Sequence, residues 1–242
     1  MLGKGPLMIF RQLFEPTASA YTYLIGCDET GEAALIDPVI ETVERDLALL
    51  EELGLSLKLT IETHIHADHV TGASLLRDRT GARVAVPQKS QASEADVLIG
   101  EGEPIAIGRL MLEPLHVPGH TDDHYAYLLR GADSLRVFTG DALMIDGCGR
   151  TDFQNGSAAM LYRSVHDKIF TLPDETLVYP GHDYQQRQVS SVGQEKARNP
   201  RLGGGKTVEE FVAIMAALNL PRPKKMDIAV PANRQCGAGA IV

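Results

Sequence analysis

Apolar and polar positions alternate along several short stretches of the chain and recur at spacings of three and four along others. Met8 to Phe14, Tyr21 to Cys27 and Glu32 to Asp37 read as strands, with Asp28-Glu29-Thr30-Gly31 as a hairpin turn. From Thr42 to Leu53 the period changes. Val43, Leu47, Leu50 and Leu53 share one face, which predicts a helix, and Gly54 can take the left-handed position that ends it. Leu57 to Glu62 returns to strand pattern, Val70 to Leu76 opens a helix, and Ala82 to Val86 is another strand. Gln88 to Gly102 is weakly patterned and predicts a loop with a short turn. A second set of strands follows at Ile105 to Ile107, Leu110 to Val117, Tyr125 to Leu129 and Arg136 to Thr139. Ser157 to Phe170 predicts a helix with Ser157 as N-cap and Leu161, Val165 and Ile169 inward. Thr176 to Tyr179 reads as the last strand. Thr207-Val208-Glu209-Glu210 is a capping box, opening a helix with Val208, Phe211, Val212, Met215 and Leu218 as its buried stripe. Pro221 and Pro223 stop it. The order of elements suits two sheets with helices on their outer faces, an α/β (α+β) class, as one domain over residues 1–242.

Charge and composition remove several functions. The net charge of −9 argues against a polyanionic partner, and 5% aromatics with no Trp leaves few platforms for stacking bases, so no nucleic-acid partner is expected. No apolar stretch reaches the ~20 residues that cross a bilayer, so no membrane partner is expected. Met1 to Phe10 carries neither a signal-peptide core nor an Arg/Ser-rich amphipathic pattern. Cys27, Cys148 and Cys236 are odd in number and far apart, which fits a reducing compartment and a cytoplasmic location.

The chemistry concentrates in Thr63-His64-Ile65-His66-Ala67-Asp68-His69, an H-x-H-x-D-H run on a strand-to-helix turn. Three imidazoles and a carboxylate brought together there suit zinc, iron or manganese. Further polar residues follow apolar strands. His120 sits on the Pro118-Gly119 turn, Asp141 follows Thr139-Gly140, and His182 sits on the Pro180-Gly181 turn. Gly147-Cys148-Gly149-Arg150 is a glycine-rich loop, and Tyr184 lies near His182. His116 and His124 flank the His120 turn and are candidates to surround the site. His166 lies on a predicted helix and reads as solvated.

The spaced set H-x-H-x-D-H, His, Asp, His resembles the metallo-β-lactamase superfamily over nearly the whole chain. The resemblance implies an αββα sandwich of two mixed sheets with a metal site at one edge. In the two-metal pattern of that superfamily, His64, His66 and His120 hold one ion, Asp68, His69 and His182 the other, and Asp141 bridges. All of these positions are filled here.

Two features narrow the resemblance. Gly147 to Arg150 with Tyr184 is similar to the thiol-binding half of glyoxalase II, where residues at the Arg150 and Tyr184 positions contact glutathione. The physical case is that Arg150 can grip a carboxylate with two parallel hydrogen bonds, against a structural ion pair to Asp152. The runs Gly149 to Gln154, Leu161-Tyr162, Val165-His166, Lys168 to Pro173, Asn199 to Leu202 and Val230 to Asn233 are similar to the ETHE1-type persulfide dioxygenases, through to the C-terminus. Members of that family oxidise glutathione persulfide with O2 to sulfite and glutathione at one non-haem Fe(II). The resemblance implies His64, His120 and Asp141 as the iron ligands, a two-His, one-carboxylate set that leaves positions open for substrate and O2. It implies His66, Asp68, His69 and His182 as groups around them, Arg150 and Tyr184 at the substrate, and a homodimer. A dinuclear glutathione thioester hydrolase and a non-catalytic metal-binding protein on the same fold are the alternatives. Cys148 beside the loop reads as a buried structural cysteine.

Overall fold

The computed structural model describes residues 8–131 and 134–240; residues 1–7, part of the stretch without a leader pattern, lie outside them. Strand residues alternate between two buried faces, which explains why so many strands are apolar throughout. The first sheet joins β1 (Met8–Glu15), β2 (Ala20–Cys27), β3 (Glu32–Ile36), β4 (Ser56–Ile61), β5 (Arg83–Pro87) and β6 (Val97–Ile99) in that spatial order. Its first three strands pair antiparallel, and β3 through β6 pair parallel. Parallel neighbours need a crossover; helices α1 (Val43–Glu52) and α2 (Ala73–Thr80) supply two of them. The second sheet comprises β7 (Ile105–Ile107), β8 (Leu110–His116), β9 (Tyr125–Arg130), β10 (Leu135–Gly140), β11 (Leu177–Pro180) and β12 (Ser190–Ser191), also in chain order.

The two sheets face each other across one core. Tyr21, Tyr23, Ile25, Ile36 and Ile61 come from one side, Leu112, Tyr125, Tyr127 and Phe138 from the other. Fully burying a side chain such as Phe138 is worth roughly 1.5–3 kcal/mol. On the outer face of the first sheet, Leu24, Leu35 and Leu57 pack under Val43 and Leu50 of α1 and Leu76 of α2. On the outer face of the second, Ala126, Leu128, Val137 and Val178 pack under α3 (Ala158–Ser164) and α5 (Val208–Ala216). The layers are therefore helix, sheet, sheet, helix, as expected.

Several local expectations change. Gln88 to Gly102 contains β6, whose three residues are too short to show alternation. The helix expected from Val70 begins at Ala73, because Thr71 first bridges to Val39. Ser157 caps α3 as predicted, but the helix widens into a π-helical turn over Val165–Ile169. α4 (Val192–Arg198) and β12 follow the strand expected to be the last. On α5, Phe211 and Met215 are buried, whereas Val212 is exposed. α6 (Met226–Asn233) forms with Pro231 inside it, where the prolines had suggested only a stop. It packs Ala229 against Ile40 and Val70.

Candidate metal centre

The site lies along one edge of the two sheets, at strand ends. His64 follows β4, Asp141 follows β10, His182 follows β11, and His120 sits in the loop from β8 to β9. Ligand atoms of His64, His120 and Asp141 all lie within 4.8 Å of one another.

Hydrogen bonds decide which atoms are available. The Thr63 hydroxyl donates to Asp37 Oδ2 at 2.8 Å and contacts His64 Nδ1 at 2.9 Å. Its one proton is committed to Asp37, so His64 Nδ1–H donates to Thr63 and the Nε2 lone pair is left free. His120 Nδ1 lies 2.7 Å from the Arg150 carbonyl, which only accepts, so His120 also presents Nε2. That nitrogen is 3.5 Å from Asp141 Oδ2. Burial, with three neighbouring imidazoles, holds His64 well below the ordinary imidazole range, in the neutral form that binds metals. Burial opposes charge on Asp141, but His182 and His120 outweigh it and keep the carboxylate ionised. The Nε2 atoms of His64 and His120 and a carboxylate oxygen of Asp141 are a donor set that fits a divalent transition metal, and they form a metal-binding cluster.

His182 behaves differently. Its Nδ1 lies 2.7 Å from Asp141 Oδ1 and its Nε2 lies 2.9 Å from Asp68 Oδ2. Both nitrogens therefore donate to carboxylates. Burial opposes the added proton, but Asp141 and Asp68 hold His182 well above the ordinary range. Asp68 also accepts from His69 Nδ1 at 3.0 Å. His66 points its Nε2 toward Asp37 Oδ1 at 3.2 Å and Glu62 Oε2 at 3.3 Å. The predicted residues thus separate. His64, His120 and Asp141 converge, while His66, Asp68 and His69 form an adjoining group.

The loop that carries the motif is braced from four directions. Asp37 accepts from Thr63 N–H at 2.7 Å, and Asp123 from Ile65 N–H at 3.0 Å. Gln154 donates to the Ile65 carbonyl at 2.7 Å, and the Asn233 amide donates to the carbonyls of His66 and His69, each at 2.9 Å. Asp37, Glu62 and Asp123 were not among the residues picked out from the sequence, though the first two each close an apolar strand with a carboxylate; Asn233 lay in the Val230 to Asn233 run that carried the resemblance, with no role given to it. His124 does surround the site: its Nε2 accepts from Asp141 N–H at 3.0 Å, its ring stacks 4.7 Å from His64, and burial lowers its pKa to about 3. His116 instead bonds the Asp122 carbonyl on the half-buried flank. His166 is half-buried rather than solvated, stacked 3.9 Å from Tyr162 and bonded to the Leu202 carbonyl.

Beside the cluster lies a cavity of about 630 Å³, walled by Gly147 to Arg150, Phe153, Tyr184 and the segment Leu220 to Lys224. Only glycine fits at 149, since a Cβ there would lie 2.6 Å from His120 Nδ1. Cys148 is buried, and burial pushes its thiol up to about 11. Tyr184 is 76% exposed on the cavity wall. The Arg150 side chain holds Asp152 through two hydrogen bonds of 2.6 and 2.7 Å, so the ion pair weighed against a ligand contact is formed.

A domain model described as the metallo-β-lactamase superfamily matches residues 17–182, and the fold and the cluster are those of that superfamily. The human protein "Persulfide dioxygenase ETHE1, mitochondrial" is 50% identical over 235 residues, covering 97% of this chain and 91% of its own. The mouse protein of the same name is 50% identical over 233 residues, covering 96% and 90%. The crystal structure of ETHE1 from Myxococcus xanthus superposes with a TM-score of 0.91 at 56% identity, covering 95% of this chain and 100% of that one. Within the superfamily, the chain belongs to the ETHE1-type persulfide dioxygenases.

Proposed function

We propose that the protein is a persulfide dioxygenase that oxidises glutathione persulfide with O2 and water, at one Fe(II) held by His64, His120 and Asp141. The stoichiometry balances: one persulfide, one O2 and one water yield glutathione, sulfite and two protons. The observation that carries the one-metal form is the hydrogen bonding of His182, both of whose nitrogens are already given to carboxylates. A second metal would need one of those bonds broken. Iron, when bound, would supply open coordination positions and a redox-active centre for O2, while the four electrons that reduce O2 would come from the outer persulfide sulfur as it becomes sulfite.

The protein's own groups do the rest. Thr63 and the Arg150 carbonyl fix the two imidazole tautomers, so both ligand lone pairs face inward. His124 holds the backbone of Asp141 and His182 holds one of its oxygens, so the other is turned toward His120. The cavity beside the cluster receives the thiol compound, with Tyr184 and Arg150 on its wall. Among the described residues, no helix is long and apolar enough to cross a membrane. Human and mouse relatives carry mitochondrial names; we assign this chain to the cytoplasm as a homodimer, on its cysteine content and family analogy.

The test is elemental analysis of protein purified without added metal, paired with O2 uptake on glutathione persulfide. About one iron per chain with O2 consumption is expected, and Ala at His64, His120 or Asp141 should empty the site. Ala at His69 or His182 should leave iron bound and lower activity by about 10–100-fold. Two metals per chain, falling to one in the His69 and His182 variants, with thioester hydrolysis and no O2 uptake, would establish the dinuclear hydrolase.

A further inference from the structure

Five cationic side chains line the cavity: Arg150, Arg187, Arg201, Arg222 and Lys224. Three are committed elsewhere. Arg150 grips Asp152 with two hydrogen bonds, donates to the carbonyls of Leu220 and Pro221 at 3.3 and 2.6 Å, and lies 4.5 Å over the Phe153 ring. Arg187 is shared between Asp183, Asp146 and the Ile145 carbonyl. Arg222 pairs with Asp227. The remaining two keep donors without a protein partner among the described residues. Arg201 uses only Nη1, on the Cys148 carbonyl at 2.8 Å, so its Nε and Nη2 have no protein partner among the described residues. Lys224 has no hydrogen bond or ion pair among them, although its neighbour Lys225 pairs with Glu41.

We propose that Arg201 and Lys224 are the carboxylate-recognition residues of the cavity, and that Arg150 is a positioning residue. The inference rests on the thiol-dioxygenase function proposed above. Arg150 ties the loop whose carbonyl holds His120 to the segment that carries Lys224, so it joins the metal centre to the wall of the substrate cavity. A carboxylate brought to Arg150 would have to displace Asp152, whereas one brought to Arg201 or Lys224 displaces only water. The ligand is a small thiol compound with two separated carboxylates, one for the cation behind Cys148 and one for the cation on the exposed C-terminal segment. An exposed charge pair is screened by salt, so the effects below belong to low ionic strength.

The experiment compares three persulfides on the iron-loaded enzyme: glutathione persulfide, its glycyl ethyl ester, and cysteinylglycine persulfide, which lacks the γ-glutamyl carboxylate. The parent should lose about tenfold in kcat/KM on each truncated ligand, chiefly in KM. Lys224→Ala should abolish discrimination against one of them, and Arg201→Gln against the other. Each variant should keep its iron, which controls for folding at Arg201. Asp152→Asn, which loosens Arg150, should lower kcat/KM by a similar factor on all three and shift the iron affinity through the loop that holds His120. If the parent discriminates and both cation variants discriminate equally well, or if Asp152→Asn alone removes discrimination, the assignment is overturned. If the parent oxidises none of the three, the dioxygenase function fails and the assignment with it.

Discussion

Replacing Thr63 with Val keeps the shape of a 1% exposed side chain and removes one hydroxyl, which makes it a sharp test of how His64, the proposed metal ligand, is set. That hydroxyl bonds Asp37 Oδ2 at 2.8 Å and His64 Nδ1 at 2.9 Å. Without it, a buried carboxylate oxygen and a buried imidazole N–H both lose their partner, and each such loss costs about 1–3 kcal/mol. Asp37 keeps the Thr63 N–H, so we expect about 2–4 kcal/mol in total from those unit costs. The second consequence concerns the metal. With nothing to hold the proton on Nδ1, the neutral ring can carry it on Nε2, where it blocks the ligand lone pair. Iron affinity should fall about 10–100-fold. Urea unfolding of the metal-free protein and iron competition against a chromogenic chelator measure the two effects. Thr63→Ser retains the hydroxyl and should stay close to the parent in both. An iron affinity for Thr63→Val within about twofold of the parent, or a Ser variant as weak as the Val one, would refute the tautomer argument.

Asp46 on α1 is fully buried, with Oδ1 on Arg45 at 2.8 Å and Oδ2 unpartnered, and burial raises its pKa from 3.8 to about 6. A raised acid pKa in the folded state favours folding below the unfolded value and is lost as pH rises through the folded one. At about 1.4 kcal/mol per pH unit, ionised Asp46 costs about 3 kcal/mol at pH 8 and about 1 at pH 4.5. Asp46→Asn should therefore gain stability over the parent at pH 8 and gain less at pH 4.5, by urea unfolding; an equal difference at both refutes it. Gly119 has φ of +139°, and a Cβ there would lie 2.2 Å from the Leu161 nitrogen. Gly119→Ala should lose roughly 2–5 kcal/mol and most of its iron, because overpacking and backbone strain fall on the residue before His120. Parental melting temperature and iron content would refute this.

Much of the fold was legible because both faces of each sheet are buried and the helices covering them are amphipathic. Strands of five to eight residues such as β1, β2 and β3 declare themselves. β6 and β12, with three and two residues, do not; β7 is as short as β6, but its Ile105-Ala106-Ile107 is β-branched at both ends and lies just before the longer β8. α6 was hidden by Pro231, and with it Asn233, whose bonds to the His66 and His69 carbonyls cross more than 160 residues of sequence. Arg150 was half legible. Its partner Asp152 is two residues away, while the carbonyls of Leu220 and Pro221 are some 70 residues distant and belong to backbone, which no residue type advertises.

The metal centre shows where spacing stops being informative. The chain has every position of a two-metal ligand set, and folding brings all of them to one sheet edge. A ligand position, however, is a claim on a lone pair. His64 and His120 each spend one nitrogen on a protein acceptor and keep the other. His182 spends both, on carboxylates contributed by the two halves of the pattern, Asp141 and Asp68. Whether an imidazole has one acceptor or two around it depends on rotamers and on loops from distant strands. We therefore expect the metal count to depend on the groups that hold these seven residues, here the Thr63 hydroxyl, the Arg150 carbonyl and the backbone that carries them. In this chain the bonds around His182 set an imidazole between Asp141 and Asp68, two carboxylates that the superfamily pattern gives to its metal ions.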